Sequence, residues 1–258
     1  MNRRKILKVM AVGAGAITFP QLTFSGTSSG TFSSTIKNKY RAVAFDAFPV
    51  FDPRPIFKLT KHFFPEKGNQ FADLWRTRIF EYTWLRTSAN QYVDFWQCID
   101  DALLFSSTQL GIKLSNEQHH QLMQAFLNLK PYPDVIPALM KLKAMGLKIA
   151  FLSNMTEKML MNNIINSNLH GYFDHVISTD RAKTFKPSVN AYQLGIDTFG
   201  YRKEEIIFVA FASWDAVGAK WFGYPTVWIN RLDFLPENLN IKPDHSGQNM
   251  AALLEFVS

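Results

Sequence analysis

Two short apolar runs, each ending in a polar residue and lying about a hundred residues apart, limit most sharply what this chain can fold into. RAVAFDAF (41–48) and KIAFLSN (148–154) read as buried strands, and HVISTD (175–180), IIFVAF (206–211) and TVWIN (226–230) follow with helical patterns between them. Near-continuous apolar strands suit a parallel sheet covered on both faces. One crossover helix cannot fill the gap between the first two runs, so a further unit is inserted there. The stretch 57–130 supplies it: FADLWRTRIFEYTWLRT, YVDFWQCIDDALLFSSTQLG and SNEQHHQLMQAFLNL carry apolar residues at helical spacing, and Ser115 is placed to cap the third helix. PYPDV (131–135) returns the chain to the sheet. The expected fold class is α/β, with a parallel-sheet core domain at 35–56 and 131–258 and a helical cap subdomain at 57–130.

A chain of 258 residues that is 47% hydrophobic and 14% aromatic can build a core of enzyme size, and it is too polar for a multi-span membrane protein. Its formal charge of +7 invites a nucleic-acid partner, but without Arg3, Arg4, Lys5 and Lys8 it falls to +3. No basic stripe interleaved with aromatics remains, and no nucleic-acid partner is expected. Residues 1–34 run from NRRKILK through the apolar VMAVGAGAITF to a Ser/Thr/Gly-rich tail, the order of an export signal. The Arg3–Arg4 pair before a weakly apolar stretch resembles a twin-arginine signal, which implies an exported or periplasmic protein. The apolar run is shorter than the roughly 20 residues of a spanning helix, so no stable membrane span is expected. Cys98 has no partner for an intrachain disulfide and reads as a small hydrophobe on a helix face. His119 and His120 lack further ligands at metal spacing and read as solvated.

Ligands of open parallel sheets bind beyond the carboxyl ends of the strands. The polar residues there are Asp46, Ser153 with Asn154, Asp180, and Asp215 just after the fourth run, with Lys186 in FKP. Each has a plain alternative. Asp46 could be a strand-end turn residue, Lys186 a solvated lysine before Pro187, Ser153 and Asn154 caps of a helix starting near Thr156, and Asp215 a cap of its own helix.

Taken in order, FDAF (45–48), LSN (152–154), Lys186 with Tyr192 six residues on, and SWDAVGAKWFGYPTVWINR from Ser213 resemble the motifs of the haloacid dehalogenase superfamily. WRTRIFEYTWLR (75–86) and YVDFW (92–96) resemble the helical cap of its L-2-haloacid dehalogenases. The resemblance covers essentially all of the chain after the leader. It implies a Rossmann-like core and cleavage of the carbon–halogen bond of short (S)-2-haloacids, giving the inverted 2-hydroxy acid. By the same resemblance Asp46 is the nucleophile, Arg76 receives the halide, and Lys186 and Asp215 complete the catalytic set. Phe48, Ser153, Asn154, Tyr192 and Trp214 are then the substrate-binding residues. The partner is a small-molecule substrate; no cofactor and no metal are expected, and dimerisation is left open. In the related phosphatases an acidic residue two positions after the nucleophile helps to hold Mg²⁺. That position here is Phe48, which disfavours phosphatase chemistry.

The match has gaps. The loop AYGTLFD of those enzymes is AFPVFD here, one residue shorter and without its Gly-Thr pair, and a Ser and an Asn before the Trp-Asp are Ala210 and Ala212. Two further readings therefore stand beside the dehalogenase: a hydrolase of altered substrate, and a non-catalytic binding protein.

Overall fold

A computed structural model describes residues 39–258 of the chain. The leader-like segment at 1–34, with its expected export role, lies outside them. Eight strands occur among the described residues: β1 (Ala42–Phe45), β2 (Phe51–Asp52), β3 (Lys130–Pro131), β4 (Lys148–Ser153), β5 (His175–Ser178), β6 (Ile206–Ala210), β7 (Thr226–Ile229) and β8 (His245–Gly247). Six of them form a sheet in the order β5-β4-β1-β6-β7-β8, in which every pairing is parallel. The α/β parallel-sheet expectation is met, and its physical basis is visible along each strand. Val43, Phe45, Ile149, Phe151, Ile207 and Val209 face one apolar layer, whereas Ala42, Ala44, Ala150, Leu152, Ile206 and Phe208 face the other. Period-two side chains thus bury both faces, and no strand needs an alternating polar pattern.

On one face lie α5 (Val135–Ala144), α6 (Glu157–Asn166) and the C-terminal α9 (Ala251–Val257); on the other lie α7 (Val189–Phe199) and α8 (Ser213–Phe222). From β1 the chain crosses one way to β4 and the other way to β6, so the carboxyl end of β1 opens a crevice at the switch point of the topology.

Four helices fill the chain between β2 and β3: α1 (Arg54–Phe63), α2 (Gly68–Ser88), α3 (Phe95–Gln109) and α4 (Asn116–Ala125). The expected entry at 57 falls inside α1, whose start at Arg54-Pro55 has a Pro in its first turn and no side-chain cap to announce it. β2 and β3 pair antiparallel where the chain enters and leaves the helical segment. Ser115 caps α4 in a reciprocal capping box with Gln118, as the sequence predicts, and Asp94 caps α3. The β8 edge strand, His-Ser-Gly, has no apolar periodicity and was not anticipated; it is held by α9. His119 is not simply solvated: its Nε2 lies 2.6 Å from Asp100 on α3. Cys98 is buried on α3, as expected of a small hydrophobe.

Candidate active site

Asp46 follows β1 directly, so its carboxylate projects from the switch-point crevice. Oδ1 accepts from Lys186 Nζ at 2.8 Å and from Ser153 Oγ at 3.3 Å; Oδ2 accepts the Phe48 backbone N–H at 3.2 Å. Lys186 Nζ also donates to Asp215 Oδ2 at 2.6 Å, and the Tyr192 hydroxyl donates to Asp215 Oδ1 at 2.7 Å. Residues from β1, the end of β4, the loop before α7, α7 itself and the first turn of α8 therefore meet around one ammonium group.

All three charged groups are buried, Lys186 and Asp215 each to 1% exposure. Burial alone pushes the Lys186 ammonium down, but the charges of Asp215 and Asp46 and their hydrogen bonds outweigh it and hold it above the ordinary lysine value. Burial pushes Asp215 up to about 6, with the negative charge of Asp46 adding to the shift and Lys186 opposing it. Burial, and then the neighbouring Asp215 charge, keep Tyr192 well above the ordinary phenol range, so it stays a donor.

Two of the alternatives are resolved by geometry. Thr156 itself caps α6, accepting from the Met159 N–H, so Ser153 and Asn154 are free of that task. Asp215 lies in the first turn of α8 but spends its oxygens on Lys186 and Tyr192. Asn154 Oδ1 accepts from the Lys186 backbone N–H at 3.0 Å and from Thr179 Oγ1 at 3.3 Å. Its Nδ2 is buried without a hydrogen-bond partner, beside the cavity in front of Asp46. A buried amide donor left open in a cavity wall is suited to an acceptor on a bound molecule. Asp180, by contrast, takes the Tyr92 hydroxyl at 2.9 Å and Lys183 at 2.6 Å and is absent from the cavity wall.

The cavity encloses about 330 Å³ and is lined by Asp46, Phe48, Ser153, Asn154, Trp214 and Asp215 from the sheet side and by Arg76 from α2. Trp75 points inward and donates from its indole N–H to the Ile99 carbonyl at 3.0 Å, which fixes the roll of α2. The next residue, Arg76, is thereby turned about 100° round the helix to the cavity. It is half-exposed, 3.4 Å from Asp73, with its guanidinium over the Phe234 ring at 5.6 Å. Tyr192 is the one expected substrate-binding residue that does not line the cavity; it is wholly buried behind Asp215.

Sequence reasoning missed Phe80, Phe211 and Phe234 in the aromatic wall. Phe80 and Trp84 follow Arg76 at i+4 and i+8, so one stripe of α2 faces the cavity, and that spacing was legible. Phe234 sits in the loop after β7 and Phe211 just after β6, where no periodicity marks them. Gly218 on α8 is a second omission. A Cβ there would fall 2.5 Å from Tyr192 Oη and 2.7 Å from Pro187 Cβ, so glycine lets Tyr192 reach Asp215.

The family described as haloacid dehalogenase-like hydrolase matches residues 86–229. An (S)-2-haloacid dehalogenase of Pseudomonas putida is 36% identical over 218 residues, covering 84% of this chain and 96% of that protein. The chain belongs to the haloacid dehalogenase-like hydrolases. Within that family, haloacetate dehalogenase H-2 of Moraxella sp. (strain B) is 35% identical over 85% of this chain and 99% of its own. Among solved structures, the L-2-haloacid dehalogenase RSc1362 superposes with a TM-score of 0.83 at 37% identity, covering 85% of this chain and 99% of that one. The L-2-haloacid dehalogenase of Xanthobacter autotrophicus with chloropropionic acid covalently bound gives 0.78 at 29% identity, covering 84% and 98%.

Proposed function

We propose that this hydrolase cleaves the carbon–halogen bond of (S)-2-haloacids through an ester on Asp46. The observation that carries this is the buried Asp46–Lys186–Asp215 relay, at 2.8 and 2.6 Å, opening into a largely hydrocarbon cavity. A carboxylate kept from bulk water is a stronger nucleophile toward an alkyl halide than a hydrated one.

In the first step an Asp46 oxygen attacks C2 from behind the halogen. The new O–C2 bond forms as the C2–halogen bond breaks with inversion, and the halide leaves with the bonding pair toward Arg76. Oδ2 accepts only one N–H, from Phe48, and is the freer oxygen for attack. The substrate carboxylate is held at the open Nδ2 of Asn154, and at Ser153 once its hydroxyl turns from Asp46 to the substrate. In the second step water adds to the Asp46 carbonyl carbon while Asp215, its value raised to about 6, takes the proton. As the bond from the Asp46 acyl carbon to the ester oxygen breaks, Asp215 returns its proton to that oxygen, releasing the 2-hydroxy acid; the proton left on the Asp46 carboxyl passes to solvent, restoring the carboxylate. Lys186 holds both carboxylates in register throughout, and Tyr192 orients Asp215. The phosphatase reading is weaker because Phe48 presents a ring where that chemistry needs a metal-binding acid.

Halide release from L- and D-2-chloropropionate without added metal tests this reading, with Asp46→Asn as control. A single turnover in ¹⁸O-water adds a direct test of the nucleophile: ¹⁸O should appear in the peptide carrying Asp46 and not in the first product. Label in the first product instead means that water attacks C2 directly.

We infer in addition that residues 1–34 direct export, on the order of their basic, apolar and small-polar regions. Fractionation of cells expressing the chain with Arg3→Lys and Arg4→Lys tests that, the expected outcome being retention in the cytoplasm.

A further inference from the structure

The cavity before Asp46 is larger and more hydrocarbon-walled than a methyl substituent on C2 requires. At about 330 Å³ it reaches the range, roughly 300–1,000 Å³, of pockets that enclose drug-sized molecules. Its polar groups gather around Asp46, Ser153 and Asn154, with Arg76 entering from α2. Phe57, Phe80, Phe126, Phe211, Trp214 and Phe234 are the largest part of the remaining wall, which also includes the small polar residues Thr77 and Ser213. Glu81 also reaches the cavity, but it is ion-paired with Arg78 at 2.8 Å.

The wall is braced, not loosely filled. Phe211 lies 5.7 Å from Phe48 and 6.0 Å from Phe234, and Trp214 lies 5.3 Å from Phe80 and 5.5 Å from Trp84. Aromatic groups held by one another cannot readily collapse into the space they enclose, so a small substrate would leave it unfilled. Ala212 contributes a methyl to the same wall.

We propose that this site selects 2-haloacids carrying a bulky apolar substituent on C2, an aryl-bearing group or an alkyl chain of butyl size or longer, over 2-halopropionates. The proposal rests on the dehalogenase reading of Asp46. Each methylene moved from water into such a wall raises affinity about fourfold, and a phenyl ring adds edge-to-face contact with the surrounding rings.

Two measurements on the full chain separate the substituent from the chemistry. Halide release is followed with 2-bromopropionate, 2-bromohexanoate and 2-bromo-3-phenylpropionate; kcat/KM is expected to be at least tenfold higher for the two larger acids. Equal or lower values for them overturn the proposal. Calorimetry with halogen-free propionate and hexanoate is expected to give at least tenfold tighter binding of hexanoate, and equal binding overturns the pocket assignment whatever the chemistry. No halide from any of the three acids overturns the proposal together with the dehalogenase reading; a preserved binding difference in that case locates the error in the nucleophile and not in the pocket. Ala212→Phe, which narrows the cavity, is expected to lower the 2-bromohexanoate-to-2-bromopropionate ratio of kcat/KM about tenfold. Because the ratio is taken within one variant, loss of folded protein cancels, and an unchanged ratio places the substituent elsewhere and overturns the assignment.

Discussion

Lys186 Nζ stands 2.8 Å from Asp46 and 2.6 Å from Asp215, so one buried ammonium serves two carboxylates, one at the end of β1 and the other in the helix that follows the neighbouring strand β6. Removing it would leave two acids facing each other out of water, a costly arrangement. Lys186→Met is expected to cost about 3–5 kcal/mol of stability if both acids stay charged, and less as Asp215 takes up a proton. Halide release should fall by at least a hundredfold, on the scale of roughly 2.7 kcal/mol or more for a lost electrostatic group in a site. Thermal denaturation alongside initial rates checks both.

Arg76 should behave in the opposite way. Its charged partner is Asp73 on the same helix at 3.4 Å, a half-exposed pair of the kind that adds about 0–1 kcal/mol. Arg76→Ala is expected to leave the melting temperature nearly unchanged while lowering the rate of ester formation about a hundredfold or more. Single-turnover kinetics, which isolate the first step, decide the matter; a parallel loss of stability would mean that Arg76 is chiefly structural.

The pH dependence follows from Asp215. Its folded value, about 6, lies above the unfolded carboxyl value of 3.8, so between these the folded state holds a proton that the unfolded state has lost. The contribution of this group to stability is therefore present below the unfolded value and is lost as pH rises toward about 6. Activity should run the other way, because only ionised Asp215 can take a proton from water: ester hydrolysis is expected to rise through a midpoint near 6. The Tyr192 hydroxyl stabilises the ionised form, so Tyr192→Phe should move that midpoint upward. A midpoint that does not move would remove Tyr192 from the relay.

Gly218→Ala tests how tightly the helix behind the site is fitted. Alanine is the better helix former by about 1 kcal/mol, yet its Cβ would meet Tyr192 Oη at 2.5 Å and Pro187 Cβ at 2.7 Å. A net loss of about 1–3 kcal/mol and a lower rate of ester hydrolysis are expected, since the tyrosine must give way. Combined with Tyr192→Phe, which removes the crowded oxygen, the loss should be less than additive in a double-mutant cycle.

The fold and the chemical set were both legible in the chain. AVAF, IAFL and IIFVA are apolar at every position, which a sheet buried on both faces accommodates, and the distance from Asp46 to Ser153 required an inserted unit. Asp46, Ser153, Asn154 and Asp215 were found because strand ends converge in a parallel sheet whatever the details of packing. What only the tertiary structure decided was direction and distance. That Lys186 bridges two acids, that Thr156 and not Ser153 caps α6, and that Tyr192 reaches Asp215 past a glycine all depend on side chains brought together from far along the chain. The aromatic wall is the clearest case. Phe211 and Phe234 have no local periodicity to mark them, and they line the cavity because loops from separate strands close over the same crevice. Local sequence dictates which residues are buried, but the shape of the space between them is a property of the assembled whole.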